Sequence, residues 1–261
     1  MGSVETRLDG HVATLSFANP AQRGALKPEM LRDLRTGLAR LEGQYPDVRV
    51  VVLRGSDGVF SSGYAINRIP EPDALPVKDE IEELCEVIEA SPLVLIAMLE
   101  GTAVGASLDI ACACDIRFAT SSCRMGITPA KLGIVYTVAG AARLHRHVGA
   151  AWTRALFFTG DLVSGEEAAR IGLVSAAFGD ASDLERHTYD LAERIASRAP
   201  FSVASSKRII HELEHAAPVK TGVALDLHEL RRVALRSADA QEARAAFKEK
   251  RPPRFTGKES S

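Results

Sequence analysis

The chain has 261 residues, of which 46% are hydrophobic and 25% charged, and its formal net charge is -2. This composition is that of an ordinary globular protein and excludes a disordered or fibrous chain. The nearly balanced charge gives no electrostatic reason to expect a nucleic-acid partner. No apolar run reaches the roughly 20 residues that a membrane span requires.

The beginning of the chain predicts a β-hairpin followed by a helix. Asp9-Gly10, a dipeptide typical of tight turns, separates the apolar stretches 4–8 and 12–17. A helix is predicted over about 28–41, because its apolar residues recur at helical spacing after an opening proline.

A strand and a glycine-marked loop come next. The apolar stretch 48–53 predicts a strand that ends at Gly55. Residues 56–72 are too polar and too rich in glycine and proline for a regular element. We interpret them as a loop with a functional role.

The centre of the chain predicts a buried strand joined to a buried helix through a glycine corner. An amphipathic helix over 77–90 precedes the apolar run 93–99, which is typical of a parallel strand covered on both faces. Residues 106–113 are small or apolar on nearly every helical face, and Gly101 and Gly105 allow the sharp turn before them. The first turn of such a helix leaves unpaired N–H groups, which can hold an anion or a developing oxyanion.

The rest of the chain predicts short strands and then helices alone. Residues 125–137 are interpreted as an ordered loop over the core, before a helix that begins near Val138. The further predicted elements are strands at 116–119 and 173–177, helices at 151–158, 164–171 and 182–198, and an almost wholly helical stretch from 201 with breaks near 218 and 237. The order of elements predicts an α/β core with a helical C-terminal layer.

The four cysteines have small or apolar neighbours in sequence, which favours packing roles in a reducing, cytoplasmic setting. The first ten residues also lack the basic and apolar segments of a targeting signal. Cys112 and Cys114 diverge by about 200° on the predicted helix and make a poor metal pair. The sequence therefore predicts no cysteine metal site. The cysteines are Cys85, Cys112, Cys114 and Cys123.

Histidines form one pattern that resembles a zinc-protease motif. His211 and His215 lie one helical turn apart with glutamates between them. The same helix has an apolar face formed by Val203, Ile209, Ile210 and Leu213, and both histidines fall on the opposite face. We therefore interpret the two histidines as solvated, and a bound metal is not expected.

Two further histidines, His145 and His147, are also predicted to be solvated. They lie among arginines on a predicted surface helix and point in diverging directions.

A second glycine corner lies at Ser61-Ser62-Gly63-Tyr64, which follows an apolar strand as the first corner does. Two such corners at the ends of neighbouring parallel strands can direct two backbone N–H donors at one oxygen. That geometry stabilises an enolate or a tetrahedral oxyanion.

Four long segments, in order, resemble the crotonase, or enoyl-CoA hydratase/isomerase, superfamily. The resemblance continues through FTGDLVSGEEAARIGLV and the terminal AFKEKRPPRF, and so covers nearly the whole chain. It implies a spiral core of ββα units over residues 1–200 with an acyl-CoA site, and a helical C-terminal oligomerisation region over 201–261. The four segments are 18–26, 51–66, 99–120 and 125–149.

The resemblance implies an acyl-CoA thioester as partner, with its carbonyl oxygen held between the backbone N–H groups of Tyr64 and Ala106. No cofactor is implied beyond the CoA of the substrate. A homotrimer or a dimer of trimers is expected, with Phe247 and Lys250 approaching CoA, often from a neighbouring subunit. The positions that match the family's CoA pocket are Arg23, Ala25, Ser62, Ala65 and Ile66.

The matching positions leave the reaction open. Asp109 and Pro129 stand where related hydratases have two glutamates that activate water, and proline is neither acid nor base. The family's usual glycine at the oxyanion position is here Ala106, which keeps its N–H group, and the usual acidic residue after the first corner is Ala65.

The segment with Thr128 and Tyr136 is similar instead to the methylmalonyl-CoA decarboxylase branch, in which a histidine stands at the position of Tyr64. Decarboxylation of a malonyl-type CoA thioester is therefore the favoured reaction. Hydration or isomerisation of an enoyl-CoA and non-catalytic acyl-CoA binding are the alternatives. The candidate acyl-end residues are Asp109, Tyr136 and Thr128. Each also has a structural interpretation: Asp109 as a solvated or capping acid, Tyr136 as a packing aromatic, and Thr128 as a residue that bonds its own loop backbone.

Overall fold

The computed structural model describes residues 2–65, 79–215, 232, 235–236 and 238–253. Its strands are β1 (Ser3–Asp9), β2 (Val12–Ala18), β3 (Val50–Gly55), β4 (Val94–Leu99), β5 (Thr102–Val104), β6 (Ile116–Thr120), β7 (Arg124–Gly126) and β8 (Ala176–Phe178). Its helices are α1 (Pro28–Glu42), α2 (Glu80–Ala90), α3 (Ala106–Ala113), α4 (Pro129–Leu132), α5 (Val138–Thr159), α6 (Gly165–Arg170), α7 (Ala181–Ala196), α8 (Pro200–His215) and a C-terminal helix (Ala238–Glu249).

The main sheet has six strands in the order β1-β2-β3-β4-β6-β8. β1 and β2 form the predicted antiparallel hairpin, and every later pair in the sheet is parallel. The parallel pairs are joined by crossovers that place helices on the sheet. The α/β class expected from the sequence is confirmed.

Both faces of the sheet are covered, which explains the unbroken apolar run of β4. One face packs against α1, α2, α3 and α5, and the opposite face packs against α7. All six residues of β4 are buried, as expected of a strand with no solvated face.

A second, two-stranded parallel sheet, β5-β7, was not predicted. Each strand has only three residues, too few for a period of two to be visible in the sequence. The sequence reading of 125–137 as loop was therefore incomplete, since this stretch holds the end of β7 and the short helix α4. β5 carries the chain from β4 to the start of α3, which is where the glycine corner was expected.

Several predicted boundaries shift for local reasons. α2 begins at Glu80, because the side chain of Asp79 caps the helix by accepting from Glu82 N–H; residues 77 and 78 lie outside the described part. The predicted helices at 138 and 151 are joined into α5, with non-helical backbone at Gly149. The N-cap half of the capping box expected at Ser164 is present, with the Ser164 side chain accepting from Glu167 N–H, while the Glu167 carboxylate accepts from Arg170 instead.

The four cysteines are buried and unpaired, as packing residues should be. In the part of the chain that the structure describes, no three or more His, Cys, Asp or Glu side chains are grouped so as to hold a metal ion. Among the same residues, none of the helices has the length and apolar character needed to cross a membrane.

Candidate active site

The two glycine corners lie side by side. Ser61 pairs in parallel with Ala103 of β5, and Ser61 N–H donates to Thr102 O at 2.8 Å. A side chain at Gly63 would begin 2.6 Å from Val104 O, which is too close for any residue but glycine. Gly63 also has a left-handed backbone, with φ of 98°. The sequence expectation that the corners are neighbours is confirmed by this contact.

Tyr64 directs its N–H group toward the second corner. Leu26 N–H donates to Gly63 O, and Ala65 N–H donates to Leu26 O, each at 2.8 Å. In this parallel pairing, the bracketed residue Tyr64 turns its own N–H group away from Leu26. The side to which it turns is that of β5 and Ala106, whose N atom is 3.9 Å from the position of a Gly63 Cβ.

Ala106 is the first residue of α3, and Gly105 is its N-cap. The N–H group of a first helical residue has no acceptor within its own helix and lies at the positive end of the helix dipole. Asp109 N–H, one turn later, is the first to donate back, to Gly105 O at 3.1 Å. The two corners therefore bring the candidate donors Tyr64 and Ala106 into one region of the structure.

A buried hydroxyl joins the two corners. Ser107 Oγ accepts from Val104 N–H at 2.9 Å and lies 3.0 Å from Ser61 O and 2.9 Å from Val104 O, to either of which it can donate. Ser107 and Ser61 are both fully buried. Since Ser61 leads directly to Gly63 and Tyr64, Ser107 fixes the spacing of the two candidate donors.

Asp109 forms a buried, two-pronged ion pair with Arg143 of α5. Arg143 Nε donates to Asp109 Oδ1 at 2.7 Å, and its Nη2 donates to Oδ2 at 3.2 Å. The side chain of Asp109 is 4% exposed, and that of Arg143 is 3% exposed. Burial acts to lower the pKa of Arg143, but the charge of Asp109 and its hydrogen bond raise that pKa above its ordinary value. The charge that the sequence required as a partner for Asp109 is thus Arg143.

Arg143 also reaches a second carboxylate, Glu89 of α2. Arg143 Nη1 is 3.4 Å from Glu89 Oε2, and Glu89 Oε1 accepts from Arg146 Nη2 at 2.8 Å. The result is a chain of alternating charges, Asp109, Arg143, Glu89 and Arg146, whose two acids and two bases cancel. Both oxygens of Asp109 are occupied by the guanidinium, so this carboxylate differs from a free general base.

Tyr136 lies beside Asp109, at one end of this chain of charges. Its ring packs edge to face against Phe157, with the centroids 5.5 Å apart. Its hydroxyl oxygen is buried and has no hydrogen-bond partner among the described residues. Burial, and after it the charge of Asp109, raise the pKa of this hydroxyl well above its usual value, so it stays protonated at neutral pH.

Gly140 provides the space in which Tyr136 and Asp109 meet. A Cβ on Gly140 would lie 2.4 Å from Tyr136 Cε1 and 2.7 Å from Asp109 Oδ2. Gly140 lies in the first turn of α5, where its N–H group donates to the capping hydroxyl of Thr137 at 3.0 Å. The two acyl-end candidates are therefore brought together, as predicted.

Thr128 and Pro129 lie in the connection between β7 and α5. Gly126 O accepts from Gly105 N–H at 2.9 Å, which holds this connection against the second corner. Thr128 is half-buried at the start of α4, and its side chain does not cap that helix. Pro129 is the buried first residue of α4. It supplies no ionisable group at the position where a second acid was sought.

The predicted CoA-lining residues of the first corner are together. Arg23 is exposed in a left-handed conformation, and its carbonyl accepts from Ser62 N–H at 3.1 Å. Ala25 and Ala65 are buried on either side of the Leu26 pairing, and Ser62 is exposed beside them. Ile66 lies outside the described residues.

Phe247 and Lys250 lie at the far end of the C-terminal helix and just beyond it, and both are exposed. The start of that helix abuts the loop after Thr128, since a Cβ on Gly133 would lie 2.8 Å from Ala240 N. The helix therefore touches the candidate site region through its first turn.

Two sequence interpretations of histidines are wrong. His147 is half-buried rather than solvated: its Nε2 lies 2.9 Å from Cys112 O and its Nδ1 lies 3.3 Å from Arg117 Nη2. Burial and the charge of Arg117 lower the pKa of His147 to about 4. His211 is half-buried as well; the side chain of His215 lies outside the described part.

The apolar face of α8 is largely exposed. Ile209, Ile210 and Leu213 are 61%, 55% and 71% exposed in this single chain. Lys207 turns inward instead, and its ammonium group donates to Ile88 O, Leu93 O and Asp115 Oδ2 at 2.9 to 3.0 Å. The hydrogen bonds to these three acceptors direct Lys207 inward. The apolar pattern of α8 did not predict this orientation.

Three residues of the site escaped the sequence reasoning: Ser107, Arg143 and Gly140. The signal for Arg143 was Asp109 itself, because a carboxylate in so apolar a helix requires a buried cation. The signal for Gly140 was its position inside a helix. Glycine is a poor helix former, so its presence there indicates that a larger side chain would not fit. Ser107 gave no signal, since a serine in a first helical turn is ordinary.

Fold and site together define a class of protein: an α/β chain in which two neighbouring glycine corners meet at the N-terminus of a buried helix. A family model described as Enoyl-CoA hydratase/isomerase matches residues 7–258 of this chain. The chain therefore belongs to the enoyl-CoA hydratase/isomerase family, the crotonase superfamily, whose members are enzymes.

Relatives with different reactions match to a similar degree. A protein of Bacillus subtilis (strain 168) named "Probable enoyl-CoA hydratase" is 31% identical over 261 residues, which cover 98% of this chain and 100% of that protein. The methylmalonyl-CoA decarboxylase of Escherichia coli (strain K12) is 29% identical over 250 residues, covering 94% and 95%. A crystal structure of methylmalonyl-CoA decarboxylase complexed with 2S-carboxypropyl CoA superposes with a TM-score of 0.92 at 27% identity, covering 98% of both chains.

Proposed function

We propose that this protein binds an acyl-CoA thioester, stabilises its enolate between Tyr64 N–H and Ala106 N–H, and decarboxylates a malonyl-type CoA thioester. The observation that carries the choice of reaction is the state of the acyl end. Asp109 has both oxygens engaged by Arg143, Pro129 stands at the second acid position, and the Tyr136 hydroxyl is buried without a partner among the described residues. The residues that surround the two corners thus offer donors rather than a free base.

Decarboxylation needs no base, and the proposed site supplies what it does need. The bond between Cα and the substrate carboxylate breaks, carbon dioxide leaves, and the electron pair moves into the enolate, whose oxygen is stabilised by the two backbone donors. Tyr136, protonated at neutral pH, orients the substrate carboxylate out of the thioester plane. A proton relayed through the half-buried Thr128 or a water then reaches Cα and completes the acyl-CoA product.

A panel of CoA thioesters tests this function. Methylmalonyl- and ethylmalonyl-CoA are followed for carbon dioxide release, and crotonyl-CoA for loss of the enoyl absorbance. We expect carbon dioxide release from a malonyl-type thioester and no hydration at an enzymatic rate. Rapid hydration of crotonyl-CoA without any carbon dioxide release would overturn the proposal.

Hydration or isomerisation of an enoyl-CoA is the second candidate, favoured by the relative named as a hydratase that matches the full chain length. Non-catalytic acyl-CoA binding is the third, favoured by Pro129 alone. Binding of a CoA thioester by calorimetry, with no turnover of any of the three thioesters, would select the third candidate over the other two.

We further propose that CoA lies along Arg23, Ala25, Ser62, Ala65 and Ile66, that no other cofactor is required, and that the chain assembles as a homotrimer or hexamer in the cytoplasm. The exposed apolar side chains of Phe201, Leu213 and Phe247, 60% to 81% accessible in the single chain, support assembly. Phe247 and Lys250 then approach CoA across a subunit boundary. Light scattering gives the mass in solution, and a monomer at micromolar concentration would refute the assembly.

A further inference from the structure

We propose that Arg143 is a positioning residue of the candidate site, which clamps Asp109 as a fixed carboxylate beside Tyr136 and so removes Asp109 from proton transfer. The proposal rests on the proposed function only for its kinetic measurements. Its structural basis is the two-pronged pair between α3 and α5.

Among cationic side chains, only a guanidinium group provides the geometry of this pair. Two parallel bonds, from Nε to Oδ1 and from Nη2 to Oδ2, fix the plane of the Asp109 carboxylate. A lysine in the place of Arg143 would bring the same charge as a single point, without the fork. The orientation of Asp109, and not only its ionisation, therefore depends on Arg143.

The groups that face Asp109 from every neighbouring element leave Arg143 as its compensating charge. α2 contributes Cys85 and Glu89, α3 contributes Cys112, the loop before α5 contributes Tyr136, and α5 contributes Arg143 and Arg146. Burial raises the pKa values of both cysteine thiols and of the Tyr136 hydroxyl, so these groups are neutral near pH 7. Arg146 is engaged by Glu89.

Gly140 gives an independent reason to regard the orientation as specified. Asp109 Oδ2 and Tyr136 Cε1 both occupy the space that a Cβ at position 140 would fill. A rotation of the carboxylate would alter its contact with Tyr136 directly. The bare helix surface at Gly140 and the Arg143 fork thus define one position for Asp109.

The test is a nuclear magnetic resonance spectrum, recorded near pH 7, of protein labelled with carboxyl-13C aspartate. The Asp109 resonance is identified by its loss in Asp109→Asn. We expect its chemical shift in Arg143→Lys and in Arg143→Met to differ from the wild-type value, because the carboxylate loses the two parallel hydrogen bonds that fix its plane. A wild-type chemical shift of Asp109 in both variants would overturn the proposal.

Arg146→Met is the matched control, since Arg146 lies on the same helix and binds Glu89 without touching the fork. We expect the Asp109 resonance to stay constant in this variant. An equally large change of the Asp109 chemical shift in Arg146→Met would assign the orientation of Asp109 to the whole charge chain and refute a specific role of Arg143.

Kinetics separate positioning from simple stability. We expect Arg143→Lys, which folds with its charge retained, to lower kcat about 10²-fold with KM within a few-fold, because reacting groups are displaced. Wild-type kcat in Arg143→Lys would show that the fork is dispensable.

The two proposals fail separately. The spectra require no turnover, so an inactive substrate panel together with a changed Asp109 chemical shift in Arg143→Lys and Arg143→Met refutes the decarboxylase function alone. An unchanged Asp109 chemical shift in both variants together with carbon dioxide release refutes the role of Arg143 alone.

Discussion

The two ends of helix α3 are built differently. At its C-terminal end, Arg117 donates to the carbonyls of Leu173, at 2.9 Å, and Cys114, at 2.7 Å, and His147 lies 2.9 Å from Cys112 O. At its N-terminal end, Ala106 and Tyr64 direct N–H groups at the space between the two corners, and the nearby charge of Asp109 is held sideways by Arg143.

This difference separates structure from function around one helix. A buried arginine whose partners are carbonyl oxygens satisfies hydrogen-bond acceptors of the fold. Its positive charge also interacts favourably with the negative end of the helix dipole. A buried arginine whose partner is a carboxylate, next to the two glycine corners, lies in the candidate site. Both arginines are buried, so burial does not distinguish the two cases. The partner of each arginine does.

The largest expected effect comes from breaking the two arginine environments. Arg143→Met should lower the free energy of unfolding by about 3–5 kcal/mol, because Asp109 is left buried and unpaired. Adding Asp109→Asn should recover most of that loss, since both charges are then absent. Arg117→Met should also destabilise, but Asp109→Asn should not rescue it. Urea denaturation measures all four proteins.

Failure of Asp109→Asn to recover the stability of Arg143→Met would contradict the account of the pair. Rescue of Arg117→Met by the same substitution would erase the distinction between the two ends of α3.

Ser107→Ala tests the link between the corners. The change leaves Val104 N–H with only its longer bond to Ser61 O, at 3.3 Å, and should cost about 1–3 kcal/mol of unfolding free energy. It should also lower kcat about 10²-fold, because the two donors lose their fixed spacing. Steady-state kinetics and denaturation give both values.

Ser197→Ala is the control for Ser107→Ala, since Ser197 Oγ donates to Arg194 O at the exposed end of α7. Its kcat should equal that of the wild type. A Ser107→Ala enzyme with unchanged kcat would remove Ser107 from the positioning of the donors.

The pH dependence of stability tests the C-terminal end of α3. The pKa of His147 is about 4 in the folded protein and about 6.5 in an unfolded chain, so protonation favours unfolding. Its contribution to stability is intact above about pH 6.5 and is lost as the pH falls toward 4. His147→Gln should remove about 1–3 kcal/mol of that decline.

His145→Gln, at an exposed position on the same helix, should leave the pH dependence of unfolding unchanged. Equal acid declines in His147→Gln and in the wild type would show that another group controls this range.

The smallest expected effect distinguishes two helical glycines. Gly37→Ala should be neutral or stabilising by up to about 1 kcal/mol, since its Cβ would meet the flexible end of Leu15 at 3.0 Å and Thr6 Oγ1 at an ordinary contact distance of 3.8 Å. Gly140→Ala should lose that gain and lower kcat, because its Cβ would displace Tyr136 or Asp109. Thermal melting and kcat give the comparison, and a stabilised, fully active Gly140→Ala would contradict the packing described.

The sequence predicted the elements that depend on local pattern. The apolar run of β4 and the small, apolar helix α3 were expected within one residue of their observed bounds, because burial on all sides leaves an unbroken apolar signal. The meeting of the two corners followed from parallel strands that end at one edge of a sheet.

Features that depend on distant partners were not predictable. Arg143 is 34 residues from Asp109, and several other arginines would have satisfied the same requirement. The three-residue strands β5 and β7 carry no periodic signal. On α8, the apolar pattern gave no sign that Lys207 turns inward to three acceptors on distant segments.

Mass spectrometry of the product formed from methylmalonyl-CoA in heavy water tests the central claim, enolate formation at the two backbone donors, most directly. We expect an acyl-CoA that has lost its carboxylate and gained one deuterium at Cα, with the rate of its formation lowered more than KM is raised in Tyr136→Phe. Unchanged methylmalonyl-CoA, recovered from an enzyme that hydrates crotonyl-CoA, would contradict it.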